Sequence, residues 1–370
     1  MKDCSAIDAS MLSPRESARR AGLVYLTDER PGFSRGISGK NAVYRDTKGR
    51  VIRKSEELRR IKHLAIPPAW SEVWISPKEN GHIQATGRDA RGRKQYRYHD
   101  EWRTVRDGNK YDRMLAFGRA LPKIRNRVAR DLRKKGMPKS KVLATIVRLL
   151  ESTCIRVGNE EYARDNQSYG LTTMRNRHAK VRREKVSFEF RGKSGKHHKI
   201  DVRDRRLGKI VKKCQELPGQ ELFCYIDEEE QVQDVRSEDV NAYLREISGA
   251  DFTAKDFRTW NGTVLAAIAL REFEEFLSAK EAKANIVKAI EAVAKLMGNT
   301  PSVCRKCYVH PVILQSYLDG VTIRTMKERA EQILSRGLSR LKPDEAAVMM
   351  LLRQTLKRRK QGSNGPRRSR

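Results

Sequence analysis

The spacing of apolar positions changes near residue 110. Between residues 32 and 102 the apolar runs are short and broken by turn signals, as around residues 73–75, which is typical of strands. Farther along, apolar residues recur every three or four positions, as in residues 142–154, which is typical of helices with one buried face. We therefore predict an α+β fold, in which a small β-rich N-terminal domain precedes a larger, mainly α-helical domain.

One stretch inside the helical part alternates apolar and polar residues instead. Val186, Phe188 and Phe190 occupy every second position, and the alternation resumes in residues 198–202. The intervening residues 192–196 consist of glycine, lysine and serine. This pattern predicts a β-hairpin with lysines at its turn.

Helical periodicity also predicts where the larger domain has its other helices. We expect them at residues 205–216, 237–247, 262–277, 279–296, 321–335 and 344–356. In the helix of residues 142–154, Pro138 and Ser140 mark the start and Gly158 marks the end. Arg156 is therefore expected in the last turn of that helix.

The same signals divide the chain into four parts. We predict a flexible tail at residues 1–20, a β-rich domain at 21–108, a mainly helical domain at 109–356 and a basic tail at 357–370. The two tails are polar and lack periodicity, which is typical of mobile chain ends.

The chain is strongly basic. Its 370 residues include 79 Lys and Arg against 46 Asp and Glu, which gives a formal net charge of +33. Each phosphate that a Lys or Arg neutralises releases counterions, so this charge predicts a nucleic-acid partner. Charge alone does not separate an enzyme from a non-catalytic basic DNA-binding protein.

Several classes of protein are excluded by the sequence. The longest apolar runs, such as residues 264–270, fall far short of the roughly 18 residues that span a membrane, and residues 1–20 lack the apolar core of a secretion signal. The 6 cysteines lack the spacing of a disulfide framework. Cys304, Cys307 and His310 would supply only three of the four ligands of a structural zinc site, and no second Cys pair follows to complete the set. We expect a cytoplasmic, nucleoid-associated protein with no membrane partner and no metal.

Motifs that follow one another along the chain identify a family. They lie at residues 66–70 and 92–98, 155–162, 190–193, 255–260 and 298–308. In order and spacing they resemble the N-terminal domain, first arginine motif, lysine turn, second arginine motif and tyrosine segment of the type IB DNA topoisomerases of poxvirus and bacterial type. The resemblance covers about residues 32 to 320 and implies that the β-rich domain binds DNA.

The resemblance also implies a catalytic role for each matching residue. Tyr308 would attack a DNA phosphorus and hold the 3′ end covalently, while Arg156 and Arg258 would clamp the scissile phosphate. Lys193 would protonate the departing 5′ oxygen. Asn299 stands where many members have histidine; its amide can donate a hydrogen bond to a nonbridging oxygen but cannot exchange protons.

Five further residues are expected to contact DNA, four of them through the resemblance and Lys255 from its position one turn before Arg258. Gln95, Tyr96 and Tyr98 would contact bases or backbone, because a glutamine pairs bidentately with adenine and a tyrosine reaches base edges or phosphates. Without the resemblance, these residues are a strand with one hydrated face. Tyr162 and Lys255 would touch the duplex beside the arginine motifs.

The implied activity is relaxation of supercoiled double-stranded DNA through a 3′-phosphotyrosine, by a monomer that clamps the duplex. One ester is exchanged for another, so no ATP, metal or other cofactor is expected, and the chain has no Gly-rich phosphate loop. Tyrosine recombinases, with a related Arg, Lys, Arg and Tyr set, remain an alternative, although they usually carry His-x-x-Arg where this chain has Lys255-x-x-Arg258. A non-catalytic basic DNA-binding protein is the other alternative.

Overall fold

The chain divides into two compact units, Met1–Arg113 and Met114–Arg370. The computed structural model describes residues 14–38, 41–90, 92–273, 276–324 and 341–362. The first unit contains a five-stranded sheet, and the second is mainly helical with a β-hairpin, so the predicted α+β class is confirmed. Within these ranges, no helix combines the length and apolarity needed to cross a bilayer.

The N-terminal unit is built on an antiparallel sheet. Its strands are β1 (Phe33–Ser38), β2 (Asn41–Arg45), β3 (Ser71–Ile75), β4 (Ile83–Arg88) and β5 (Lys94–Tyr98), in the order β2-β1-β3-β4-β5. Helix α2 (Ser55–His63) contributes Ile61 to the small core, where it packs with Val73, Ile75 and Ala85.

Part of the expected N-terminal tail is ordered. Residues 1–13 lie outside the described residues, but Pro14–Arg20 forms helix α1. Ala18 of this helix is fully buried and packs with Leu23 and Trp102. The helix is too short to show periodicity, and its apolar partners lie in other segments, so the sequence pattern did not reveal it.

The larger unit consists of helices and two small sheets. Its helices are α3 (Asp100–Asp131, which begins in the first unit), α4 (Lys139–Thr153), α5 (Glu160–Asn166), α6 (Arg205–Gln215), α7 (Ser237–Ser248), α8 (Ala254–Glu272), α9 (Ala279–Met297), α10 (Pro301–Cys307), α11 (Pro311–Leu318) and α12 (Pro343–Gly362). Its strands are β6 (Ala179–Arg182), β7 (Lys185–Arg191) and β8 (His197–Arg203) in one sheet, and β9 (Cys224–Ile226) and β10 (Val232–Asp234) in the other. Helix α8 contacts α4, α7, α9, α11 and α12 and is the central element.

The predicted β-hairpin is confirmed. Strands β7 and β8 pair antiparallel, with Phe190 opposite His198 and Val186 opposite Val202. Val186, Phe188 and Phe190 are buried, as the alternation requires. Helices α6, α7 and α9 also lie where they were predicted, whereas most of the helix expected at 321–335 lies outside the described residues.

The prediction that Arg156 lies in the last turn of a helix is wrong. Helix α4 ends at Thr153, because Cys154 adopts a left-handed conformation with φ of 58°. Arg156 therefore follows the helix in an irregular segment, and its carbonyl accepts a hydrogen bond from the amide of Leu171 at 2.9 Å. No glycine marks this helix end in the sequence, which explains the error.

The predicted bounds of the central helix are also wrong. Helix α8 starts at Ala254, eight residues before Gly262, because the Asp256 carboxylate accepts hydrogen bonds from the Thr253 amide at 2.8 Å and hydroxyl at 3.0 Å. It ends at Glu272, and Leu277 lies outside it with 97% of its surface exposed. The early start places the whole second arginine motif on the helix.

A buried ion network fixes the C-terminal helix to the centre of this unit. The Arg125 guanidinium donates hydrogen bonds to Glu345 of α12 at 2.9 and 2.7 Å and to Glu151 of α4 at 2.8 Å. Trp260 of α8 donates to the same Glu345 carboxylate at 3.4 Å. Burial alone would raise the pKa of Glu345, but the hydrogen bonds and charge of Arg125 hold it below its usual value.

We predict that Glu345→Ala lowers the free energy of unfolding by about 3 kcal/mol, because it removes one partner of a buried ion pair. The matched control is Glu246→Ala, which breaks an ion pair with Arg127 whose carboxylate side is 61% exposed and should cost less than about 1 kcal/mol. Urea unfolding followed by circular dichroism measures both. Equal losses for the two variants would contradict this account of the network.

Candidate active site

A buried arginine lies where three helices meet. Arg258, in the second turn of α8, is only 4% exposed. Its guanidinium donates hydrogen bonds to the carbonyl of Met297 at 3.1 Å and to the carbonyl of Cys154. These carbonyls lie at the C-terminal ends of α9 and α4, where helical carbonyls lack intrahelical partners and the helix dipole favours a cation. The C-terminal ends of two helices thus stabilise the positive charge of Arg258.

Arg156 approaches the same point from the segment after α4. Close contact of two glycines shapes this segment, since a Cβ at Gly170 would lie 2.5 Å from the Gly158 backbone and 2.7 Å from the Arg156 carbonyl oxygen. The Arg156 side chain donates a hydrogen bond to Asn299 Oδ1 at 2.5 Å. Asn299 is therefore a direct partner of the first arginine.

The two guanidinium groups repel each other. Burial first, and then the charge of Arg258, lowers the pKa of Arg156 to about 10, although neighbouring Tyr308 acts in the opposite direction. Arg156 therefore stays protonated at neutral pH. Neither arginine takes part in an ion pair with a carboxylate among the described residues, so the pair forms an uncompensated positive site.

Tyr308 lies against this positive site. The centre of its ring is 4.9 Å from the guanidinium carbon of Arg258, a cation–π distance. Helix α8 also holds the backbone of Tyr308 in place. The Thr263 hydroxyl donates a hydrogen bond to the Tyr308 carbonyl at 3.1 Å, and α8 comes so close at Gly262 that a Cβ there would lie 2.9 Å from the same carbonyl oxygen. One helix therefore positions both Arg258 and Tyr308.

Asn299 occupies the turn between α9 and α10. Gly298, with φ of 63°, ends α9, and Thr300 caps α10 by accepting a hydrogen bond from the Val303 amide at 3.3 Å. Asn299 is 8% exposed. Its Nδ2, like Nε of Arg258, is a buried donor without an acceptor among the described residues.

Lys193 is at the exposed turn of the β7–β8 hairpin. Its Nζ lies 5.9 Å from the ring centre of Tyr162. Within the same turn, Lys196 donates from Nζ to the backbone carbonyl of Asn299 at 2.9 Å. The hairpin turn is thus in contact with the segment that leads to Tyr308.

A single cavity of about 340 Å³ collects most of the predicted site residues in this unit. Its lining includes four predicted catalytic residues and two predicted DNA contacts: Arg156, Lys193, Arg258, Tyr308, Tyr162 and Lys255. Asn299 does not line the cavity, but it accepts a hydrogen bond from Arg156, which does line it. Within the described ranges, no group of three His, Cys, Asp or Glu side chains is arranged to hold a metal ion.

Gln95, Tyr96 and Tyr98 lie on β5 of the N-terminal unit. The Tyr96 and Tyr98 rings stack with centres 5.9 Å apart, so they share one face of the strand. Strand alternation places Gln95 on the other face, where its amide donates to Asp89 at 2.9 Å. The expectation that all three contact DNA therefore requires the strand to present both of its faces.

Sequence reasoning missed the residues that support this site. Gly262 and Thr263 seat Tyr308, and Lys196 holds the turn that carries Lys193. The spacing of Lys196 marks it only as a turn residue, because its partner lies 103 residues away.

His198 is a further residue that the sequence did not assign to the site. Its ring stacks on Phe190 with centres 5.1 Å apart. Burial, and then the charges of Arg156, Arg258 and Lys196, lower the pKa of His198. The folded protein therefore favours the neutral imidazole.

We predict that His198→Gln makes stability less dependent on pH. Below the ordinary histidine pKa of about 6.5, the unfolded chain binds a proton before the folded one does, so the stability of the natural protein falls with pH until the lower folded pKa is reached. The variant lacks this contribution. Thermal unfolding midpoints between about pH 7.5 and about pH 5.5 should fall less for the variant, and an equal or larger fall would contradict the assignment.

Two family models match the chain. Residues 99–335 match the catalytic core of eukaryotic DNA topoisomerase I, and residues 42–89 match the N-terminal domain of bacterial DNA topoisomerase IB. The first match contains the whole set of residues gathered around the two arginines.

Individual relatives agree with these matches. DNA topoisomerase 1B of Acanthamoeba polyphaga mimivirus is 32% identical over 293 residues, which cover 77% of this chain and 87% of the relative. DNA topoisomerase 1B of Vaccinia virus (strain Copenhagen) is 22% identical over 275 residues, with coverage of 72% and 83%. DNA topoisomerase 1 of Mycosarcoma maydis is 24% identical over 242 residues, which cover 58% of this chain and 23% of the relative.

Proposed function

This chain belongs to the family of type IB DNA topoisomerases, which are isomerases, and on that premise we propose that it relaxes supercoiled double-stranded DNA. It would cut one strand, hold the 3′ end on Tyr308 as a phosphotyrosine, let the other end rotate and then reseal the strand. The observation that carries the proposal is the pair of guanidinium groups that converge beside the Tyr308 ring, with no carboxylate partner among the residues that the structure describes.

The arginine pair matches a phosphodiester in charge and shape. The buried charge of Arg258 and the half-buried charge of Arg156 are costly to keep together unless an anion compensates them, and guanidinium binds phosphate oxygens in a planar, bidentate manner. Charge grows on the nonbridging oxygens during transesterification, so fixed donors accelerate that step. Arg156 and Arg258 supply these donors, and Asn299 holds Arg156 in place through its 2.5 Å hydrogen bond.

The reaction itself needs a nucleophile and an acid. The Tyr308 oxygen loses its proton to solvent and forms a bond to phosphorus while the bond from phosphorus to the 5′ oxygen breaks, and Lys193 gives a proton to that departing oxygen. Resealing reverses both transfers. Because one phosphate ester replaces another, the cycle consumes no ATP, and the charge stabilisation that a metal often provides comes from the arginines.

The remaining contacts serve to bind the duplex. Lys255 is exposed one turn before Arg258 and lines the same cavity, where it would meet a neighbouring phosphate. In the N-terminal unit, Tyr96 is 43% exposed and has Lys94 Nζ 5.8 Å from its ring centre. We propose that this strand contacts DNA and that a monomer carries out the reaction.

We predict that Tyr308→Phe abolishes plasmid relaxation and covalent adduct formation while DNA affinity stays close to normal, since only the attacking oxygen is removed. The assay contains EDTA and no ATP, conditions in which the natural chain should relax plasmid fully. Tyr225→Phe, in β9 and outside the cavity lining, is the control and should relax DNA normally. Covalent adduct formed by Tyr308→Phe would refute the assignment.

We predict that Lys193→Ala slows cleavage of an ordinary DNA strand by about 10²- to 10⁴-fold, the usual contribution of a general acid. A substrate with sulfur in place of the 5′ bridging oxygen has a leaving group that needs no proton, so the variant should cleave it almost as fast as the natural chain does. Single-turnover rates on the two substrates measure this difference. Equal slowing on both would show that Lys193 is not the proton donor.

A further inference from the structure

Two backbone hydrogen bonds close the turn that carries Lys193. The Gly192 amide donates to the Lys196 carbonyl at 2.7 Å, and the Gly195 amide donates to the Gly192 carbonyl at 3.1 Å. Ser194 and Gly195 both adopt positive φ, at 63° and 74°. Residues 192–196 therefore behave as one small loop, and whatever holds one end of it also places Lys193.

One end of this loop is held by a charged hydrogen bond. Lys196 Nζ donates to the Asn299 carbonyl at 2.9 Å, and the two residues are 103 positions apart in the sequence. Hydrogen bonds from a charged donor are among the stronger ones in proteins. The bond therefore favours the one placement of the turn in which it can form, although ordering a lysine side chain costs conformational entropy.

A second contact fixes the same two segments relative to each other. The His198 ring lies between the turn and the end of α9: a Cβ at Gly192 would come within 2.6 Å of the ring, and one at Gly298 within 2.2 Å. Only glycine at both positions leaves room for the imidazole. The hairpin therefore packs directly against the residue that precedes Asn299.

The contacts form a chain from the hairpin to the arginine pair. Lys196 binds the backbone of Asn299, and the side chain of Asn299 accepts a hydrogen bond from Arg156. A proton donor must come within hydrogen-bond reach of the leaving oxygen, and a misplacement of about 1 Å can cost about 10²-fold in rate. The position of Lys193 relative to Arg156 thus depends on the Lys196 bond.

We infer that Lys196 is a positioning residue that holds the hairpin turn on the Asn299 segment and so sets Lys193 for proton transfer to the leaving oxygen. This inference rests on the proposed function, because it assigns Lys196 a part in that reaction. It differs from an ordinary phosphate contact, since the Lys196 ammonium binds the chain's own carbonyl.

The test compares Lys196→Met with the natural chain in single-turnover cleavage of two DNA strands, one with oxygen and one with sulfur at the 5′ bridging position. We expect the variant to cleave the oxygen strand about 10- to 100-fold more slowly, which is part of the full effect of a general acid, and the sulfur strand at nearly the normal rate. Lys196→Arg, which keeps a charged donor, should recover much of the oxygen-strand rate.

Two further variants sharpen the comparison. Lys199→Met removes the same charge from an exposed position of β8 and should leave both rates and the DNA affinity close to normal. In the double variant, Lys196→Met should add little to the defect of Lys193→Ala, because both changes act through the same proton transfer.

The outcomes separate this inference from the function on which it rests. If the natural chain cleaves both strands but Lys196→Met slows both equally, or slows neither, Lys196 does not position the acid and the inference fails alone. Equal slowing together with weaker DNA binding would identify Lys196 as a phosphate contact. If the natural chain cleaves neither strand, the proposed function fails and the inference fails with it.

Discussion

The buried charge of Arg258 is the constraint on which the catalytic unit depends. Arg258 is 4% exposed and has no carboxylate partner in the described part of the chain, so its guanidinium must find hydrogen bonds elsewhere, and it finds them on carbonyls at the ends of α4 and α9. Both helices must therefore end at the same point, beside the second turn of α8. This convergence explains why α4 ends at Thr153 although its left-handed cap, Cys154, is not a glycine.

The rest of the site follows from that convergence. Once α4 has ended, the next residues carry Arg156 to the same place, and once α9 has ended, Asn299 meets the Arg156 side chain. Helix α8 then seats Tyr308 through Gly262 and Thr263. The stability of the fold and the reactivity of the site are thus linked, because the same helix ends hold the cation and place the nucleophile.

Local patterns predicted the local structure well. Alternation in β7 and β8 predicted the hairpin, since every second residue of β7 is buried and every second residue of β8 is at least partly buried, and periodicity placed α6, α7 and α9. The start of α8 was missed because its signal is a single cap, Thr253 with Asp256, rather than a periodic run. The left-handed Cys154 left no signal at all.

The site could be predicted only through resemblance, since periodicity does not show which of 79 basic residues meet in space. The motifs identified Arg156, Lys193, Arg258, Asn299 and Tyr308. The fold places four of them around one cavity and bonds the fifth, Asn299, to Arg156. The hydrogen bonds that organise them join residues 143 positions apart, as for Arg156 with Asn299, or 103 apart, as for Lys196. Pairs so distant in one sequence leave no pattern that spacing can reveal.

The central claim is that the phenol beside Arg258 is the one that joins DNA. The most direct measurement is to trap the covalent adduct on a nicked suicide substrate, digest it with trypsin and locate the modified residue by fragmentation mass spectrometry. The account predicts a nucleotide joined through its 3′ phosphate to Tyr308, within the peptide of residues 307–324, and not to Tyr317, which is buried and hydrogen-bonded to Asn285 at 3.0 Å. An adduct on Tyr162, or one joined through the 5′ end of the DNA, would contradict it.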